Sequence, residues 1–485
     1  MGFSEIAPDA INTYCENYHE PTFRNFGDIT KLDNLPEHDF MTAGVPCQSW
    51  SIAGKNLGFD DDRGQLWNDT LYLLNKTRPK AFIFENVKGL ADPRNQNALA
   101  YIMTRIEQAG YHAEKFLLNA YDYGVPQTRV RIYIIGFRDE KYIKRLQIPS
   151  PFPVRTRLCD ILEDAYNDNP SSVAERKARW SLSCNEQGFN DYFLFNDLRN
   201  GATTIHSWDI AETTQRQKDI CNLLLRNRRK SDYGFLDGNP LSLSHFQKLD
   251  HTITLDELEN LVDEGILKNV SYLYSITEKK CDTEPERLIM SLDENGILNY
   301  DKVKVFREVK KRGINVSKTL DELETKGRIK CVEKRYDFKN TKISTGLEGV
   351  NRIFLPSSKI YPTLVASDTN DYVTPIRIEA DSIEQFREEF ISRVYRPGNY
   401  RKITKVEACR IQGFPPNFKL PATRQRWMKL IGNSVAVPVV KMLAESVIET
   451  GVFNDNVATE PRNKHKTTID FIPTTNIQTE LFATI

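Results

Sequence analysis

One cysteine stands in a polar, glycine-containing stretch, Gly44-Val45-Pro46-Cys47-Gln48-Ser49-Trp50-Ser51, directly after a short apolar run with the pattern of a strand. A thiol leaving a strand end is placed to act as a nucleophile if cations nearby favour its thiolate. Three other motifs bear on that chemistry. Phe84-Glu85-Asn86-Val87 closes an apolar run with a carboxylate, and partial desolvation there raises an acid toward its protonated form. Gln127-Thr128-Arg129-Val130-Arg131 leads into another apolar run, and alternation along an extended chain puts Arg129 and Arg131 on one face. Two guanidiniums at a sheet end can lower a thiol's pKa and grip a polar ring edge. Ile431-Gly432-Asn433-Ser434-Val435 precedes a helix-like run. Taken singly, each motif has a plainer meaning: a buried small cysteine, a solvated strand end, two surface ion-pair partners, a turn with a helix cap.

The elements that must position these groups follow from periodicity. Strand-like runs at Phe40–Ala43, Ala81–Phe84 and Ile132–Phe137 alternate with helix-like segments at Ala10–Tyr18, Leu66–Lys76 and Asn97–Ala109. The rhythm predicts an α/β fold: a doubly wound, mostly parallel sheet covered by helices, with its chemistry at the carboxyl ends of the strands. From about Asp139 to Tyr395 the rhythm is lost, and some 250 residues are too many for a loop, so a separate mixed α/β domain is expected. The boundaries are therefore set at 1–140, 141–395, 396–450 and a polar tail, 451–485. Thr254-Leu255-Asp256-Glu257-Leu258-Glu259 recurs as Thr319-Leu320-Asp321-Glu322-Leu323-Glu324. Each has the spacing of a capping box, and chance reuse of a good helix start is favoured over duplicated helix-turn-helix units.

Bulk composition narrows the class. Apolar residues make up 40% and charged residues 27%, as a globular core requires, and 66 basic residues balance 66 acidic ones. No membrane association is expected, because no apolar run approaches the roughly 20 residues of a span and no signal peptide opens the chain. Eight scattered cysteines without a CxxC pair speak against a zinc site or disulfide framework and for a reducing, cytoplasmic setting.

Together the motifs, in this order and spacing, resemble the cytosine-5 DNA methyltransferase family. The resemblance rests on Pro46-Cys47-Gln48, the loop Ser49 to Asp62, Arg63-Gly64-Gln65-Leu66-Trp67, Glu85-Asn86-Val87 and Gln127-Thr128-Arg129-Val130-Arg131. Val406-Glu407-Ala408-Cys409-Arg410-Ile411-Gln412-Gly413-Phe414-Pro415 and Gly432-Asn433-Ser434-Val435 complete it, so it spans residues 2–140 and about 396–445. It implies four catalytic roles. Cys47 adds to carbon 6 of cytosine, Arg129 assists its ionisation, Glu85 holds or protonates ring nitrogen 3, and Arg131 binds the carbonyl oxygen. Carbon 5 then receives a methyl group from S-adenosylmethionine, with the base flipped out of double-stranded DNA and the loop closing over it on Gly54 and Gly58. The resemblance further assigns cofactor contacts to Glu5 (ribose), Ile6, Asp28 and Ile29 (adenine), and Pro46, Leu66, Asn433, Ser434 and Val435 (methionine end).

One departure stands out. The family's opening strand and Asp-x-Phe-x-Gly-x-Gly-Gly loop have no counterpart, because Met1-Gly2-Phe3-Ser4-Glu5 already matches the second strand. A late start assignment is favoured over truncation or a small second polypeptide that supplies the loop. The middle region takes the place of the family's target-recognition domain, with Arg226-Asn227-Arg228-Arg229-Lys230 and Lys310-Lys311-Arg312 as candidate phosphate contacts. Tyr361-Pro362-Thr363-Leu364-Val365-Ala366-Ser367 resembles the threonine-leucine segment that ends such domains. The expected role is the modification enzyme of a restriction-modification system, with a cognate endonuclease as functional partner. A transfer-RNA cytosine methyltransferase and a non-catalytic DNA-binding protein are the alternatives.

Overall fold

A computed structural model describes residues 2–46, 62–153, 155–164, 192–342 and 344–454. Cys47, most of the loop that follows it and the tail from 455 lie outside the described residues.

The N-terminal part comprises α1 (Pro8–Tyr18), β1 (Phe40–Gly44), α2 (Asp62–Thr77), β2 (Ala81–Val87), α3 (Gln96–Gln108), β3 (His112–Asn119) and β4 (Val130–Phe137). Pro8 suits the first turn of α1, where its missing N–H costs nothing. In β2, four consecutive buried residues, Ala81 to Phe84, mark a strand covered on both faces. Trp67, Leu71, Leu74, Leu99, Ile102 and Ile106 pack with Phe82 and Phe84 in one core, and Ile83 and Ile135 pack with the C-terminal helix in another. Full burial of side chains of this size is worth about 1.5–3 kcal/mol each.

The strand order is β1-β2-β4-β3. Only β1 and β2 run parallel; β4 is antiparallel to both β2 and β3, which corrects the expectation of a mostly parallel sheet for the described residues. The cause is the link Ala120–Arg129, which holds one short 3-10 turn and is too short for a crossover, so the chain doubles back. Periodicity missed β3 because it is an edge strand with little burial. Among the described residues no strand lies against the outer edge of β1. Phe3 instead forms an isolated parallel bridge with Asn25, whose amide clasps the backbone of Glu5 at both its N–H and its carbonyl, each at 3.0 Å.

The middle region contains β5 (Tyr192–Phe195), β6 (Thr204–Ile205), α4 (Gln215–Asn227), α5 (Leu243–Leu249), α6 (Leu255–Asp263), β7 (Leu267–Ile276), α7 (Glu284–Met290) and β8 (Ile297–Asn299). After these come α8 (Arg307–Lys311), α9 (Val316–Thr325), β9 (Ile329–Phe338), β10 (Arg352–Phe354), β11 (Asp371–Val373) and α10 (Ile383–Phe390). Two sheets form here, β11-β10-β5-β6 and β8-β7-β9. The hexapeptide recurrence is chance reuse, yet the second sheet does contain duplicated helix-turn-helix units, aligned at a different offset. Thr254 caps α6, whereas Thr319 lies inside α9, which Asn315 caps. The equivalent positions are Leu258 and Leu320, Leu261 and Leu323, and the left-handed Gly265 and Gly327, each pair 62 apart (327 less 265). The units α5-α6-β7 and α8-α9-β9 therefore repeat as helix, turn, helix and strand, and β7 pairs antiparallel with β9 from Leu267↔Phe338 to Ile276↔Ile329. Each ribbon end closes its own small core.

C-terminal to these lie α11 (Lys405–Gln412), α12 (Arg424–Asn433) and α13 (Val437–Glu449). Arg424–Glu449 has the length and composition of a membrane span. The run is broken between Asn433 and Val437, however, and its apolar residues are divided between two interior cores. One of those cores joins Phe354, Tyr361, Leu364 and Val373 to Ala408, Ile411, Trp427 and Ile431. The boundary drawn at Tyr395 thus runs through shared packing rather than between separate bodies.

Candidate active site

Register places the first pieces. Glu85 pairs with Gly44 on β1 and with Tyr133 on β4. Asn86, buried in the next position, donates from its side chain to the Val45 carbonyl at 3.1 Å and so fixes the path by which the chain leaves β1. Cys47 follows Gly44 by three residues, which can span at most about 11 Å. A side chain at Gly44 would bring its Cβ to 3.7 Å from Glu85 Oε2, so the glycine leaves that face of the carboxylate open.

Arg131 Nε lies 3.1 Å from Glu85 Oε1, and both side chains are about 15% exposed. Burial pushes the Glu85 carboxyl above the usual range, against the smaller opposing pull of Arg131 and Arg129. Arg129 is almost fully buried and is held differently. Its guanidinium donates to the carbonyls of Leu364 at 2.9 Å, Gly432 at 3.0 Å and Ser434 at 2.5 Å. The two arginines thus both act on Glu85, but only Arg131 pairs with it.

Sequence reasoning did not single out Gln127 or Gln412, both with no exposed surface. Gln127 donates to the Ile411 carbonyl at 3.1 Å and to Gln412 Oε1 at 2.8 Å, and accepts from the Leu364 amide at 3.0 Å. Gln412 donates in turn to the Ser434 carbonyl at 3.0 Å. The available signal was their place inside two motifs already in hand, with Gln127 at even spacing from Arg129 and Arg131. Gly432 is a close-approach glycine: a Cβ there would stand 2.3 Å from the backbone of Val365 and Ala366.

The model for the C-5 cytosine-specific DNA methylase family matches residues 1–449. The chain belongs to this family. Among its relatives, the type II methyltransferase M.HgiCII of Herpetosiphon aurantiacus is 36% identical over 93% of this chain and 92% of its own length. The type II methyltransferase M.NlaIV of Neisseria lactamica is 30% identical over 92% and 91%. Among solved structures, an Entamoeba histolytica methyltransferase gives a TM-score of 0.44 at 13% identity, covering 93% of this chain and 89% of that one, a likeness too distant to argue from. The protein is a cytosine-5 DNA methyltransferase, and neither the transfer-RNA enzyme nor the non-catalytic binder is favoured.

The methylase's expected cofactor contacts fall into two groups around the sheet. Glu5 accepts from the amides of Ile6 at 2.7 Å and Ala7 at 2.8 Å, and Ile6 beside it is 69% exposed. Asp28 caps a 3-10 turn, where the Thr30 hydroxyl and amide hold its carboxyl below the usual range. Ile29 and Leu66 pack against the core, and Pro46 is exposed at the end of β1. Burial, with Asp28 nearby, pushes the Asp69 carboxyl on α2 upward. On the other side, Asn433 is exposed, while Ser434 and Val435 turn the chain from α12 into α13. The exposed apolar side chain of Ile6, next to the Glu5 carboxylate in sequence, has the chemistry to cover an adenosine, with a carboxylate at hand for hydroxyl donors.

Of the candidate phosphate contacts, Arg228 is buried in an ion pair with Asp337 at 2.8 Å, and Arg312 pairs with Glu284. Arg226, Arg229, Lys230, Lys310 and Lys311 remain on the surface.

Proposed function

We propose that this methyltransferase modifies carbon 5 of a flipped cytosine in a defined double-stranded DNA sequence through a covalent Cys47 adduct. The observation that carries this reading is the half-buried Glu85–Arg131 pair beside the strand that leads to Cys47. Carbon 5 is a poor nucleophile until carbon 6 is attacked. The Cys47 thiolate forms the sulfur–carbon 6 bond while Glu85, kept toward its acid form by burial, gives its proton to ring nitrogen 3. Arg131 is within reach of the ring carbonyl, and Arg129 contributes a fixed positive charge that favours the thiolate. S-adenosylmethionine, when bound, supplies the electrophilic methyl group. Glu5, Ile6, Asp28, Ile29, Pro46, Leu66, Asn433, Ser434 and Val435 would hold it. Loss of the carbon 5 proton, expulsion of the Cys47 thiolate and return of the nitrogen 3 proton to Glu85 restore the ring and the enzyme.

The names of the relatives support a type II modification enzyme; a cytoplasmic setting beside a cognate restriction endonuclease is part of the same proposal. Residues 141–395 serve as the target-recognition region. The test is trapping: DNA that carries 5-fluorocytosine at the target, mixed with enzyme and S-adenosylmethionine, should yield a denaturation-resistant adduct whose peptide contains Cys47. An adduct at another cysteine, or methylation without one, overturns the mechanism.

A further inference from the structure

We propose that Gln127 and Gln412 are positioning residues that tie the recognition region to Arg129 and to the Asn433-Ser434-Val435 turn. This rests on the reading above that Arg129 and that turn serve methyl transfer.

The side chains of Gln127, Arg129 and Gln412 close a ring of hydrogen bonds in the interior. Gln127 and Arg129 are two apart in extended chain and reach toward one side. Both take hold of Leu364, Gln127 at its amide (3.0 Å) and Arg129 at its carbonyl (2.9 Å). Both also end on the Ser434 carbonyl, Arg129 directly (2.5 Å) and Gln127 through Gln412 (2.8 and 3.0 Å). Leu364 belongs to a strap, Tyr361–Ala366, that lies in sequence between β10 and β11 of the recognition region. The strap is sewn to the segment before β4. The Tyr361 amide donates to the Pro126 carbonyl at 2.7 Å, and the Thr363 hydroxyl donates to the Thr128 carbonyl. Each contact between the strap and the segment before β4 is at least 200 residues distant along the chain, so none is a local turn. Movement of the strap as DNA seats must shift Arg129 and Ser434 together. A buried amide that loses its partner is left desolvated and unpaired, which keeps the ring closed.

The discriminating variant is Gln412→Glu. A carboxylate still accepts from Gln127, but it presents a second oxygen to the Ser434 carbonyl. Once protonated, it can donate there again, and burial raises the pH at which this happens. Rates should be expressed per site titrated with 5-fluorocytosine DNA, so that a misfolded fraction does not count. At alkaline pH, Q412E should lower kcat about 10- to 100-fold and raise KM for S-adenosylmethionine, with DNA affinity within about twofold of wild type. Relative to wild type, kcat should recover as pH falls. If Q412E does not fold, Gln412→Met carries the same expectation without the recovery. A lower melting temperature with unchanged kcat per site, or a loss confined to DNA affinity, overturns the proposal. A wild-type enzyme that transfers no methyl group to DNA overturns the underlying reading and this proposal with it. A wild type that methylates alongside an unaffected Q412E overturns the proposal alone.

Discussion

Replacing Gly432 by alanine sets two calculable effects against each other. The residue lies in the last turn of α12, where alanine would normally be favoured over glycine by about 1 kcal/mol. The added Cβ, however, would stand 2.3 Å from the Ala366 nitrogen and the Val365 carbonyl carbon, against 3.4–4 Å for ordinary contact. Helix and strap must separate by about 1 Å, and both partners are backbone in a close-packed interior. They are also pinned together, because Arg129 bonds the Leu364 and Gly432 carbonyls at once. Separation costs about 1–3 kcal/mol of overpacking and about 1.5–3 kcal/mol for one lost charge-assisted bond. After the helical gain, the net is a loss of about 2–5 kcal/mol. A displacement of that size at Arg129 and Ser434 should also reduce kcat/KM about 100-fold. Thermal unfolding with and without S-adenosylmethionine, together with initial rates of tritium transfer to DNA, measures both. A G432A enzyme with wild-type melting temperature and turnover would refute the close-approach argument.

Three other outcomes follow. Cys47→Ser should abolish methyl transfer and 5-fluorocytosine trapping while DNA binding, read by fluorescence anisotropy, stays within about threefold; measurable turnover would exclude the covalent route. Glu85 must be protonated to act, so kcat should fall as pH rises through its raised pKa, and Arg131→Gln, by removing a cation that opposes the shift, should move that alkaline limb to higher pH; a limb that moves down would contradict the assignment. The same desolvation makes the ionised form costly in the fold, so Glu85's contribution to stability declines over that window as pH rises. Leu258→Ala and Leu320→Ala should each destabilise by about 2–5 kcal/mol and by similar amounts, because both occupy equivalent, fully buried positions; denaturant titration showing one of them neutral would deny the equivalence.

Much of the candidate site could be proposed from sequence because its motifs are local. Cys47, Glu85, Arg129 and Arg131 could be named from their types and from the apolar runs that flank them, and the runs around Glu85 and Arg131 are indeed adjacent strands. Strand direction was less accessible. The βαβ rhythm holds through β2, then fails because β3 and β4 are joined without a covering helix, a difference that connection length shows better than composition. Periodicity also missed the true repeat in the middle region. A matching hexapeptide drew attention to an offset of 65 (319 less 254), whereas the folded units align on buried leucines and left-handed glycines. Burial, not identity, defines that equivalence. The Gln127–Gln412 link was hidden for a different reason: its partners lie 285 positions apart, and no pattern in one chain marks such a pair.

The contrast between the two arginines explains why the motif needs both. A guanidinium as buried as Arg129 would be costly without compensation, and three carbonyl dipoles converge on it. A cation gripped in that way cannot swing onto a substrate without breaking the strap and the turn that hold it. Its positive potential is therefore present before the substrate arrives, which is the condition for electrostatic stabilisation without reorganisation. Arg131 has the complementary character. It keeps some exposure, and its partner is Glu85, the group that the proposed mechanism sets against the flipped base. In that mechanism, when ring nitrogen 3 takes the Glu85 proton, the newly ionised carboxylate regains its full attraction to Arg131 at the moment negative charge appears on it. Arg129 thus fixes the field and Arg131 answers the proton. Exchanging either residue for lysine should fail for opposite reasons: too few donors to hold three carbonyls at the first position, and no planar fork to serve carboxylate and ring carbonyl together at the second.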